Sequence, residues 1–92
     1  MDQHRLYETI RNCGFTVLMF EDHPEFFGNW RAYIRRGGDL FEVVSDNREG
    51  WITLWKKENT QGIKLFEAES SKLDQEHELE ILGQWLVELK KT

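Results

Sequence analysis

Hydrophobic and polar positions divide the chain into two helical stretches with a run of strands between them. Leu6, Ile10 and Cys13 recur at i, i+4 and i+7, on one face of a helix over residues 2–12. Asp2 is placed to cap its start, and Gly14 to take the left-handed position after its end. Residues 15–21 (FTVLMFE) then read as a strand that is largely apolar on both faces. Residues 22–29 (DHPEFFGN) are a connection, because Pro24 has no N–H for a sheet ladder. Residues 29–36 (NWRAYIRR) alternate: Trp30, Ala32 and Ile34 on one side, Arg31, Tyr33 and Arg35 on the other.

A GGD turn leads to a return strand, LFEVVS, whose apolar residues occupy both faces. Residues 51–57 (WITLWKK) are the next strand, residues 58–62 (ENTQG) a turn, and residues 63–69 a fifth, shorter strand. Ser71 and Asp74 resemble a capping box that opens a final helix. Glu76, Glu78 and Glu80 suit its positive end, and Lys90 and Lys91 the other. Ile81, Leu82, Trp85, Leu86 and Leu89 form its apolar stripe. Gly83 interrupts that stripe at a cost of roughly 1 kcal/mol relative to Ala, which suggests a close approach to the sheet. The pattern predicts an α+β fold: helix, antiparallel four- or five-stranded meander, helix. Both helices are expected on one face of the sheet, leaving the other partly wet.

Composition narrows the class. The 92 residues suit one domain, residues 1–92, and 39% hydrophobic with 13% aromatic content is enough for a packed core. No apolar run reaches the roughly 20 residues that span a bilayer, and residues 1–10 contain no signal-peptide h-region, so neither a membrane nor secretion is expected. A single cysteine, Cys13, cannot form an internal disulfide and fits a cytoplasmic location. Net charge is −5, distributed as −3 over residues 1–28, +2 over residues 29–66 and −4 over residues 67–92. Acidic ends and the lack of a Lys/Arg cluster on a predicted helix argue against nucleic acid as the partner.

Candidate chemistry is sparse. Glu21, Asp22, His23 and Glu25 surround Pro24 and read as a solvated loop rather than a metal site. His4 and His77 fall on predicted helix surfaces, with no nearby partner that makes them catalytic. Cys13 reads as a buried thiol, and Ser45, Ser70 and Ser71 as turn and cap residues. No carboxylate is expected in an apolar setting that would raise its pKa for acid catalysis, and no glycine-rich phosphate loop is present. The expectation is a non-enzyme with no cofactor or metal.

The sheet face opposite the helices offers more. With Trp30, Ala32 and Ile34 inward, Arg31, Tyr33 and Arg35 form a mildly basic outward stripe. If Ile52 and Leu54 also point inward, Trp51 and Trp55 join that surface. These residue types dominate protein interfaces. The opposite phase, with both tryptophans in the core, is equally open, since large aromatics are usually buried. An RNA-stacking platform is disfavoured by the acidic flanks. An acidic helix face carrying Glu69, Asp74, Glu76 and Glu80 could meet a basic protein. The SDNREGW stretch, residues 45–51, reads as a hairpin connection in which Asp46 or Asn47 bonds the backbone and Gly50 takes a positive φ.

From CGFTV through FFGNW to SDNREGWITLW, the chain resembles a group of small bacterial proteins. In that group a leading helix and strand are followed by F-G-N, then by a hairpin ending near D-R-G with an aromatic residue after it. Phe27-Gly28-Asn29 matches the first element. Asp46 and Arg48-Glu49-Gly50-Trp51 correspond to the second, with Asn47 and Glu49 interposed. The resemblance covers residues 13–55 and implies a single-domain cytoplasmic α+β binder without catalysis. Some members are regarded as immunity proteins that bind and block a toxin. The sequence thus points to a protein-binding domain, of which an immunity-type inhibitor is one form, whose partner is another protein, a basic one among the candidates. Arg31, Tyr33, Arg35, Trp51 and Trp55 are its expected contact residues. A small-molecule-binding domain and an edge-strand homodimer are the alternatives.

Overall fold

A computed structural model describes every residue except Phe26, Asn59, Ser71, Lys72, Leu73 and Thr92. The elements run α1 (Gln3–Asn12), β1 (Thr16–His23), β2 (Asn29–Arg36), β3 (Asp39–Asp46), β4 (Trp51–Glu58), β5 (Gln61–Glu69) and α2 (Gln75–Lys90). The strands form one antiparallel sheet in the order β1-β2-β3-β4-β5. The fold is α+β, a five-stranded meander between two helices.

Local chemistry sets most element ends. Asp2 caps α1, its Oδ1 accepting from the Arg5 N–H at 3.3 Å, and Gly14 follows the helix at φ +84°. Asp74 caps α2 by accepting from the His77 N–H at 3.0 Å. Ser71, the other half of the expected capping box, lies outside the described residues, as do Asn59 and Phe26 in the two predicted connections. β5 departs from expectation: at nine residues it is the longest strand. Gln61 and Gly62, assigned to the turn for their composition, pair with Glu58 and Lys57.

One side of the sheet builds the core. Trp30, Ala32 and Ile34 of β2 are buried with Phe41 and Val43 of β3 and with Ile52 and Leu54 of β4. Leu6 and Ile10 of α1 and Leu79, Leu82 and Leu86 of α2 belong to the same cluster. Tyr7 meets Phe20 edge-on at 6.4 Å, and Trp85 stacks on Phe66 at 5.4 Å. The strand register places Phe20 and Phe66 on this same side.

Four side-chain expectations are corrected. Leu79, outside the predicted stripe, is buried, while Ile81 is only half-buried; the buried face of α2 follows the i, i+3, i+7 series Leu79, Leu82, Leu86. Gly83 faces α1 rather than the sheet, since a Cβ there would stand 3.8 Å from Thr9 Cγ2. Ser45 is not a turn residue but a buried position of β3, where its hydroxyl donates to Glu78 Oε2 at 2.5 Å. Glu78 is therefore a carboxylate in an apolar setting. Burial raises its pKa, opposed by the Ser45 hydroxyl, by the nearby Trp30 N–H and by the amino terminus. Trp30 Nε1 lies outside hydrogen-bond geometry and, like Ser70 Oγ, is buried without a partner.

Candidate functional site: the open face of the sheet

The sheet's second face answers the question of strand phase left open by the sequence. With Ile52 and Leu54 fully buried, Trp51, Thr53 and Trp55 project to the opposite side, and the core alternative for the two tryptophans is excluded. Register places Trp51 between Asp46 of β3 and Glu69 of β5, and Trp55 between Glu42 and Lys64. Arg31, Tyr33 and Arg35 share this face, with Tyr33 paired to Glu42. Tyr33 and Trp55 therefore flank one carboxylate across three adjacent strands. Arg35 and Trp51 stand toward opposite ends of the strands, so the five expected residues form a broad surface rather than a single pocket.

Side-chain and backbone contacts orient Trp55. Trp55 Nε1 donates to Thr53 Oγ1 at 3.0 Å, so the indole N–H is satisfied on the wet side and the ring need not be buried. The absence of a side chain at Gly62 leaves room beside the same ring, since a Cβ there would reach 3.4 Å from Trp55 Cε3. Trp51 remains 44% exposed. An open depression of about 510 Å3 is lined by both indoles with Val44 and Thr53, and bordered by Glu42, Asp46, Glu49 and Glu67 with one cation, Lys64.

The turn preceding Trp51 is built as the sequence suggested. Asp46 Oδ1 accepts from the N–H groups of Arg48 at 3.1 Å and Glu49 at 3.0 Å, an Asx-type arrangement. Gly50 takes φ +84° and its N–H donates to the Asp46 carbonyl at 2.7 Å. Asn47 adds a contact that sequence reasoning missed. Its N–H donates to Asn29 Oδ1 at 2.7 Å and its Nδ2 to the Gly28 carbonyl at 3.0 Å. The two glycine-containing turns, at Gly28 and Gly50, are thus bonded to each other and anchor one end of the open face.

The charge of this face differs from the expected basic stripe. Arg31 Nε lies 3.1 Å from Glu21 and its Nη1 3.6 Å from Glu42. Lys57 lies 3.4 Å from Glu42, and Lys64 3.1 Å from Glu67. The Arg31 hydrogen bond, with that of His23, holds Glu21 below the usual carboxylate range, and Glu21 raises the Arg31 pKa in turn. Acid predominates around Trp51, from Asp46, Glu49, Glu67 and Glu69, whereas Arg35 and Lys57 lie toward the other end. Glu42 escaped the sequence reading because LFEVVS is apolar in both phases; only the register with β2 puts it on this face, where its neighbours leave it 8% exposed.

Other candidate groups stay dispersed. His23 lies 3.5 Å from Glu21 and 3.9 Å from Glu25. His4 and His77, on the helix surfaces, are within 3.9 Å of Glu8 and 3.2 Å of Asp74. Among the described residues, no group of three His, Cys, Asp or Glu side chains is placed to hold a metal ion, and no helix is long and apolar enough to cross a membrane. Cys13 is half-buried with its Sγ 3.9 Å from the Gly83 carbonyl. No protein-family model matches the chain, and comparison with curated proteins and with solved structures finds no match.

Proposed function

We propose that this chain is a non-catalytic protein-binding domain whose open sheet face, centred on Trp51 and Trp55, docks a partner with a basic surface. The observation that carries the reading is the pair of tryptophans held on the wet side of β4, beside Asp46, Glu49 and Glu67. Exposed indoles supply rigid apolar area, and surrounding carboxylates favour encounter with a cationic protein. Arg31, Tyr33 and Arg35 extend the contact across β2. An immunity-type role in a bacterial cytoplasm, blocking a basic toxin, joins this surface to the resemblance over residues 13–55.

The test compares two baits, wild type and W51A/W55A, in affinity capture from the native host followed by calorimetry on the recovered chain. Wild type is expected to retain a basic protein that the double variant binds at least about 30-fold more weakly, as for hot-spot residues worth about 2 kcal/mol or more. Equal binding by both baits would remove the tryptophans from the interface.

A further inference from the structure

The side of the sheet that packs the core ends in two cations. Continuing the inward phase of β2 past Ile34 brings Arg36, and that of β4 past Leu54 brings Lys56. Phe41 of β3 pairs with Ile34 on one side and Lys56 on the other, while Arg36 pairs with Asp39. Charged residues at the end of an otherwise apolar series call for a reason. Between this end of the sheet and Leu89 near the end of α2 lies a pocket of about 380 Å3, walled by Phe15, Phe41, Leu65 and Phe66, with Arg36, Lys56 and Asp39 at its polar side.

A backbone irregularity shapes the wall. Leu54 pairs with Phe66 and Trp55 with Lys64, so Leu65 is an extra residue in β5. The bulge lets two consecutive apolar side chains, Leu65 and Phe66, both line the pocket, a re-aiming that bulges commonly serve beside binding sites. The cations are not equally engaged. Lys56 Nζ lies 3.8 Å from Asp39 and 3.3 Å from Glu58. Arg36 lies over the Phe15 ring at 5.9 Å and, among the described residues, makes no ion pair.

An apolar pocket of a few hundred Å3 with a small number of convergent polar groups is the usual form of a small-molecule site. Here the lining offers apolar contact and the mouth offers a guanidinium, which favours a carboxylate in fork geometry. We propose that this pocket binds a small amphipathic carboxylate, its apolar body against Phe15, Phe41, Leu65 and Phe66 and its anionic group at Arg36 and Lys56. The site lies on the opposite side of the sheet from Trp51 and Trp55, so it stands independently of the protein-binding reading.

The test titrates the 15N-labelled full chain with octanoate, octanol and octylammonium, following amide shifts. Octanoate is expected to bind tightest, with saturable shifts clustered at Phe41, Leu65, Phe66 and Leu89. In R36Q/K56Q its affinity falls about tenfold or more while that of octanol is retained. Equal affinity for the three probes, octanoate shifts confined to the Trp51–Trp55 face, or no saturable shift would overturn the proposal. The comparison of probes on the wild-type chain keeps the test decisive even if the double variant folds poorly.

Discussion

Glu78 is the residue whose chemistry its sequence context hides most. It sits in the first turn of α2, where an acidic residue ordinarily remains in solvent and complements the helix dipole. Instead it is buried against Ser45, and burial raises its pKa above the ordinary glutamate value of 4.5. A carboxyl group whose native pKa is raised binds its proton more tightly in the folded state. Its contribution to stability is therefore full below the unfolded pKa and is lost as pH rises through the native value. Glu78→Gln keeps an acceptor for the Ser45 hydroxyl and removes the charge. Urea unfolding from about pH 4 to pH 8 should show the variant gaining on wild type as pH rises from the ordinary glutamate range. Parallel profiles would mean that Glu78 carries no such linkage.

At the scale of elements, β4 shows how much function-related structure was legible in the sequence and where legibility stopped. The two helices, the turns at Gly37 and Gly50 and the alternation of β2 follow from local rules: caps, glycine conformations and period-two patterning. β4 reads Trp-Ile-Thr-Leu-Trp, apolar or amphipathic in both phases, so no local rule orients it. Pairing does: Ser45 against Ile52 and Val43 against Leu54 put the aliphatic residues inward. The Thr53 hydroxyl then satisfies Trp55 outside. The acidity around Trp51 was equally hidden, because it is assembled from β3, the β3–β4 turn and β5. The phase has a direct energetic consequence. Leu54→Ala should cost about 2–5 kcal/mol, as for a fully buried leucine, whereas Trp51→Ala, at a surface position 44% exposed, should stay within about 1 kcal/mol. Thermal melts would separate them clearly, since each kcal/mol shifts Tm by about 4–8 °C in a domain of this size. Reversed costs would contradict the assigned phase.

For the whole molecule, the decisive property is that one apolar cluster joins both ends of the chain to its middle. Leu6 and Ile10 of α1 are fully buried, as are Leu82 and Leu86 of α2 and Ile34, Val43 and Leu54 of the sheet. α1 reaches β1 through Tyr7 and Phe20, and reaches α2 through the Arg5–Glu76 ion pair and the Cys13–Gly83 contact. Detaching either helix would thus expose apolar surface on the other and on the sheet. In a single small domain such sharing produces one cooperative transition. Far-UV ellipticity reports mainly the helices, while three of the four tryptophans lie on β2 and β4. The two signals should trace the same urea midpoint in wild type. Leu6→Ala, a truncation on α1 that opens the shared core, should lower both midpoints together by an amount equivalent to about 2–5 kcal/mol. Helical signal lost at lower urea than the fluorescence change would show α1 melting from an intact sheet, and the open face would then be held by the meander alone.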